Sequence, residues 1–350
     1  MAVFPEDSHA QSAINGRAPR HAVSRRTLLW GAASAAVAAP LGVRALAGPA
    51  LSGSAKPIKL TWNANAICTV AVPVAVQRGI FAKYNLAVEL SNFGGSTDQL
   101  LEAIATGKAD AGVGMALRWL KPLEQGFDVK LTTGIHGGCM RLLASKASGV
   151  TGVESLRGKT IAASDMAGPD KNFFSILLQQ KGIDPLKDVE WRQYPADLLG
   201  LALQKGEAQA LVSGDPVAWL LRKNFDLVEV SNNLVGEYAH RACCVLGVRG
   251  SLIREDHATA SALTQALLEA GEWSANNPDQ AAAAFKQYST APVEELSAML
   301  RSHTHHHHPN GAEFKAELAL YVDDLKLVSV IKPSTNSAKF ADRIYADVLA

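Results

Sequence analysis

Arg78-Gly79-Ile80-Phe81-Ala82-Lys83-Tyr84-Asn85-Leu86-Ala87-Val88-Glu89-Leu90 carries the chain out of a helical stretch, read over residues 72–84, and into a strand read over 87–93. The same alternation continues on both sides. Residues 58–62 read as a strand before that helix, 97–106 as a helix after the second strand, and 109–115 and 129–135 as strands around a helix at 117–125. Strands alternating with helices at this spacing imply crossover connections and a mostly parallel α/β sheet. The pattern then restarts, with strands at 160–163, 189–194 and 210–213 interleaved with helices at 170–181, 197–205 and 216–223. After a short apolar strand at 243–248, the last third turns helical, near 255–276, 279–288, 293–302, 312–325 and 338–348. Two α/β lobes fit this asymmetry better than one long sheet.

The chain begins with a different kind of segment. Ser24-Arg25-Arg26-Thr27-Leu28-Leu29 sets an arginine pair before an apolar run at 28–43, and Ala45-Leu46-Ala47 supplies small residues for cleavage. Residues 1–47 therefore read as a twin-arginine export signal, with a periplasmic destination. The run is alanine-rich, holds Gly31, Pro40 and Gly42, and falls short of the ~20 strongly apolar residues that a spanning helix needs. Later apolar runs are broken by Gly, Pro or charge within about a dozen residues, so no membrane span is expected in the mature chain. Five of the 34 basic and two of the 33 acidic residues lie in 1–47, which leaves 29 against 31 and a net charge near −2. No basic field remains to recruit nucleic acid. Four cysteines in 350 residues are too few for a disulfide scaffold.

Several segments, in order, resemble the periplasmic solute-binding proteins of the nitrate/sulfonate/taurine and NMT1/THI5-like group. They are the opening stretch at 78–90, Gly94-Gly95-Ser96 leading into Leu100-Leu101-Glu102-Ala103-Ile104, Gly107-Lys108-Ala109-Asp110, Leu156-Arg157-Gly158-Lys159-Thr160-Ile161-Ala162, and the acidic-proline pair Asp215-Pro216. The resemblance implies an α/β fold of the type II periplasmic binding protein class, two lobes joined by two crossover strands and closing on a ligand by hinge motion. It places lobe 1 at 58–136 plus 246–350, lobe 2 at 137–245, and the crossovers near 135–140 and 242–247. Its members work with the permease and ATPase of an ABC importer, and a monomer is expected.

Ligands of open α/β sheets sit beyond the carboxyl ends of the strands. The candidate contacts are therefore Asn63, Asn65 and Cys68 after the first strand, Ser96 at a helix start, Met115 after the third strand, His136 at the hinge, Asp165 and Asp215 in lobe 2, and Arg241. Each has a plainer reading. Ser96 with Gln99 forms a capping box, the asparagines are turn formers, and both aspartates suit helix N-termini. If the aspartates do contact the ligand, two carboxylates favour a cationic or metal-associated solute over a bare oxyanion.

Two clusters suggest metal. Cys139 on the first crossover, with Cys243 and Cys244 before the second, could present thiolates beside His136; zinc, copper(I) and iron suit such ligands. The alternative is three small buried hydrophobes. His303, His305, His306, His307 and His308 crowd a polar helix end and could take zinc, nickel or copper. THI5-like pyrimidine synthases carry a cysteine cluster at the equivalent place, and as a family use iron, a histidine and a pyridoxal-phosphate lysine. Only Cys243-Cys244 matches here, with Val245-Leu246-Gly247 following and no lysine in the first loop, so that enzymatic machinery is not carried over. The expectation is a non-enzymatic solute-binding protein that requires no cofactor. The alternatives are a metal-dependent THI5-like protein and a periplasmic sensor domain.

Replacing Arg25 and Arg26 by Lys should leave unprocessed precursor in the cytoplasm, read by cell fractionation and immunoblotting. An unchanged periplasmic pool of shortened protein would remove the twin-arginine reading.

Overall fold

Alternating burial along the first strand fixes how the structure starts. In β1 (Lys56–Trp62) the buried positions are Ile58 and then Leu60, Thr61 and Trp62, so the strand runs from a solvated edge into the core. The computed structural model describes residues 54–93, 97–303 and 306–350; the segment read as an export signal lies outside them. β1 is followed by β2 (Leu86–Asn92), β3 (Ala111–Met115), β4 (Val129–His136), β5 (Met140–Ser145), β6 (Thr160–Ala163), β7 (Glu190–Gln193), β8 (Ala210–Gly214), β9 (Leu227–Asn232) and β10 (Cys244–Arg249).

Among the described residues these strands form two five-stranded sheets, ordered β2-β1-β3-β10-β4 and β7-β6-β8-β5-β9. β1 pairs in parallel with β2 and β3, and β6 in parallel with β7 and β8. β10 runs antiparallel to β3 and β4, and β5 antiparallel to β8 and β9. The two antiparallel strands are the crossing points. The chain leaves the first sheet at His136, enters the second at Met140, and returns after β9 to re-enter the first sheet at Cys244.

The helices are α1 (Ala71–Gln77), α2 (Ile80–Lys83), α3 (Thr97–Ala105), α4 (Ala116–Glu124), α5 (Pro169–Gln180), α6 (Leu199–Gln204), α7 (Val217–Asn224) and α8 (Gly250–Glu255). The helical final third holds α9 (His257–Asn276), α10 (Pro278–Phe285), α11 (Val293–Ser302), α12 (Gly311–Leu327) and α13 (Ser337–Ile344). Among the described residues no helix is long and apolar enough to cross a membrane.

Two expectations need correction. The helix read over 72–84 is broken in two, because Gly79 takes φ +67 and starts α2 in a new direction. Only glycine enters that left-handed region without steric cost. β5 and β9 were not expected at all. Their pairing is long-range, and β5 contains Arg141, whose charge interrupts the apolar run that marks a central strand.

The first sheet packs tightly around one indole. Trp119 of α4 is fully buried under β3 and β10, and both strands present glycine where it lies. A Cβ on Gly114 would overlap the Trp119 ring, and one on Gly247 would meet its Cζ3 at 2.7 Å. Gly114→Ala should therefore cost about 1–3 kcal/mol through overpacking, measured by urea unfolding. A change within error would show that the indole can move aside.

Candidate functional site

The carboxyl ends of β1, β3, β6 and β8 converge on one cavity of about 190 Å³ between the sheets. Asn63, Asn65 and Met115 reach it from the first sheet; Ser164, Asp165, Ser213 and Asp215 reach it from the second. Met140 of β5 and the start of α5, Pro169 and Asp170, complete the wall. The 3-10 turn after β1 touches the other lobe directly, with the Ile67 N–H donating to the Asp215 carbonyl at 3.3 Å. Asn63 folds its loop by accepting the Asn65 N–H at 2.9 Å, the turn-forming role its residue type favours.

Asp215 lines the cleft yet is not available to a ligand. Its carboxylate is fully buried and held by Arg141, with Nε to Oδ2 at 3.0 Å and Nη2 to Oδ2 at 2.8 Å. His303 Nε2 lies 2.8 Å from the same Oδ2, and the Trp219 N–H donates to Oδ1 at 3.1 Å. Burial alone would push this carboxyl up, but His303 and Arg141 outweigh it and hold it below its usual range. Arg141 also binds Glu229 at 2.7 Å and lies over the Trp219 ring. Sequence reasoning missed Arg141. The signal it leaves is a single arginine inside an otherwise apolar strand.

The other two carboxylates differ. Asp165 accepts the Ala167 N–H at 2.9 Å and has Arg118 at 3.5 Å, though Arg118 also serves Asp98 and the Ala167 carbonyl. Asp170, at the start of α5, is only 8 % exposed, and among the described residues its one hydrogen bond to another residue is the Lys171 N–H on Oδ1 at 2.9 Å. Burial pushes it up to about 7. It too was missed, because an aspartate after a proline at a helix start reads as an ordinary first-turn residue.

The remaining candidates are not at the cleft. Cys68 lies fully buried beneath it. His136 is buried at the end of β4, its ring edge-on to His303 at 5.4 Å. Arg241 is taken by Asp324 at 2.6 Å and stacks on Tyr238. Ser96 and His305 lie outside the described residues.

The four cysteines, from three segments, meet in the core. Cys68 and Cys244 sulfurs stand 3.0 Å apart, Cys68 also neighbours Cys139, and Cys139 neighbours Cys243. Cys243 and Cys68 act as donors toward Cys244 and hold its thiol down to about 6. Cys68 is pushed up by Cys139, Cys244 and burial, and Cys139 by Cys243 and burial. The histidine tract, by contrast, disperses. His303 turns inward to Asp215, His307 binds Glu317 at 3.1 Å, His306 is exposed, and burial lowers His308 to about 4. Among the described residues no three or more His, Cys, Asp or Glu side chains are spaced to hold a metal ion as they stand.

The model of the NMT1-like family matches residues 53–288. No curated protein matches the chain by sequence. Solved structures share the fold at low identity. The periplasmic aliphatic sulphonate binding protein SsuA from Escherichia coli is 15 % identical, with TM-score 0.70, over 83 % of this chain and 92 % of its own. The periplasmic nitrate-binding protein NrtA from Synechocystis is 13 % identical, with TM-score 0.69, over 84 % and 87 %. A zinc-bound ligand binding component of an ABC-type import system from Staphylococcus aureus is 15 % identical, with TM-score 0.68, over 84 % and 97 %. The fold is that of the two-lobed periplasmic binding proteins.

Asp170 and Asp215 should pull stability in opposite directions with pH. An unfolded aspartate ionises near pH 4, whereas Asp170 keeps its proton to about 7. Across that window the folded chain binds more protons, so this group lowers stability as pH rises. Asp215, held low, contributes stability above the usual carboxylate range and loses it as pH falls through its depressed value. Asp170→Asn should therefore melt higher than the wild type at pH 8 and converge with it at pH 4. Thermal melts at pH 4, 6 and 8 that run parallel would refute the burial argument.

Proposed function

Because the chain belongs to the NMT1-like family, we propose that it is the extracytoplasmic solute-binding component of an ABC importer, residues 1–47 being removed on export. The observation that carries this reading is the interlobe cavity, built from the carboxyl ends of strands in both sheets. A solute there touches both lobes at once. Closure is then favoured only through contacts the closed form makes better than the open one. The fold neighbours that bind sulfonate and nitrate support the same role.

The cavity also limits the solute. The cavity of about 190 Å³, lined by Asn63, Asn65, Ser164 and Ser213 beside its carboxylates, suits a small polar molecule. The protein hands this solute to a permease and its ATPase without chemical change, as a monomer. Lobe 1 comprises 58–136 and 246–350, and lobe 2 comprises 137–245. The hinge lies where β4 passes to β5 and where the chain returns to β10.

A second reading is capture of a soft metal ion by the thiols, and one observation favours it: all four cysteines of the chain meet in one buried cluster. Their present spacing does not make a metal site, so closing around an ion would require the sulfurs to move.

One experiment separates the two. Protein purified from the periplasm should gain melting temperature with one solute from a panel of sulfonates, nitrate, amines and pyrimidines; a hundredfold excess over Kd corresponds to about 2.7 kcal/mol. Ala196→Trp, on the cleft wall, should abolish that gain. Stabilisation that survives this variant would place the solute elsewhere. Stoichiometric metal, lost when Cys243 and Cys244 become Ser, would establish the second reading instead.

A further inference from the structure

The charge lining the cleft is one-sided. Asp165, Asp170 and Asp215 all face it, and among the described residues no Lys, Arg or His lines it. Asp215 is already neutralised by Arg141 and His303. Asp165 shares Arg118 with Asp98. That leaves Asp170 without a cation. It is more than nine-tenths buried, lines the cavity, and makes no ion pair among the described residues. The adjacent basic side chain is turned away from it: the Lys171 ammonium sits over the Trp191 ring, 5.5 Å from its centroid.

A buried carboxylate with no positive partner is costly unless something else supplies the charge. The rest of the wall mixes Asn63, Asn65, Ser164 and Ser213 with the apolar Met115, Met140, Pro169 and Val217, which gives a short hydrocarbon body a surface beside the polar groups. A sulfonate or nitrate in the same place would bring another negative charge against Asp170 and Asp165, and no described cationic side chain lines the cavity to offset it.

We infer that the cleft selects a small solute bearing a positively charged nitrogen, of the ammonium, amidinium or guanidinium class, seated between Asp170 and Asp165. This rests on the proposal that the cleft is the solute site, and it sets this chain apart from its sulfonate-binding and nitrate-binding fold neighbours. The nitrogen donates to the Asp170 carboxylate and approaches Asp165 from the side opposite Arg118. Binding supplies the positive partner that no described side chain gives Asp170.

The test uses the full exported protein and matched probes: ethylammonium, ethanolamine, butane-1,4-diamine and guanidinium against ethanesulfonate, propane-1-sulfonate and nitrate. Thermal shift ranks them, and titration calorimetry gives Kd for any that bind. At least one of the four cations should stabilise the wild type. Its affinity should fall tenfold or more in Asp170→Asn, and by less in Asp165→Asn, with circular dichroism confirming that both variants fold. The amide of Asp170→Asn can donate a hydrogen bond, so it should not weaken an anion. Binding of ethanesulfonate or nitrate but of no cation would overturn the charge class while leaving the solute-binding role intact. Equal cation affinity in wild type and Asp170→Asn would overturn it as well. If none of the seven stabilises the protein, and native mass spectrometry of freshly exported protein shows the chain mass alone, both this inference and the solute-binding role fall.

Discussion

One buried ion cluster joins the two halves of this molecule. Asp215 ends β8 in the second sheet, Arg141 lies on β5 beside it, and His303 arrives from the end of α11, in the helical third packed on the first sheet. Glu229 and Arg222 extend the cluster outward. Burying such charges is expensive, and removing one partner leaves an uncompensated ion worth about 3–5 kcal/mol of destabilisation. The arrangement is therefore a poor source of net stability and a strong source of specificity. Asp215 is held from both sides, by Arg141 within its own sheet and by His303 from across the cleft.

The rest of the cleft follows from that constraint. With Asp215 neutralised and its carbonyl receiving the Ile67 N–H, the floor of the cavity is fixed by the protein itself. What remains open to a solute lies on the walls, at the starts of α5 and of the loop after β6. Other contacts between the lobes include the buried Asn172 side-chain amide, which donates to the Leu117 carbonyl at 3.1 Å, and the exposed Lys223–Glu295 pair. Exposed pairs of this kind contribute about 0–1 kcal/mol each.

Much of this was legible in the sequence, and the failures have physical causes. Alternation of strand and helix at 58–135 and 160–223 identified both lobes, because crossover helices of ordinary length leave a local pattern. β5 and β9 went unread because their pairing partners lie far away in the chain and Arg141 breaks the apolar run. Asn63, Asn65, Met115, Asp165 and Asp215 were placed correctly at strand ends, and the cavity gathers all five. Cys68 and Arg241 were not, since a side chain's direction at a loop depends on neighbours that spacing does not encode. Asp215 shows the limit most clearly: its position was readable, but the guanidinium that silences it comes from a residue 74 positions away.

The thiol cluster deserves the same treatment as the carboxylates, because burial changes what each group can do. Four sulfurs from β10, the first crossover and the turn after β1 share hydrogen bonds out of reach of water. Three are driven toward the neutral thiol, while Cys244 is eased toward the thiolate by donors on either side. Such a cluster is a packing element with a proton to spare. It sits where the chain crosses between the two sheets, with Cys139 between β4 and β5 and Cys243 and Cys244 at the start of β10. Rearranging the sulfurs about any ion would move Cys139 and Cys244 together, and with them the ends of β4, β5 and β10.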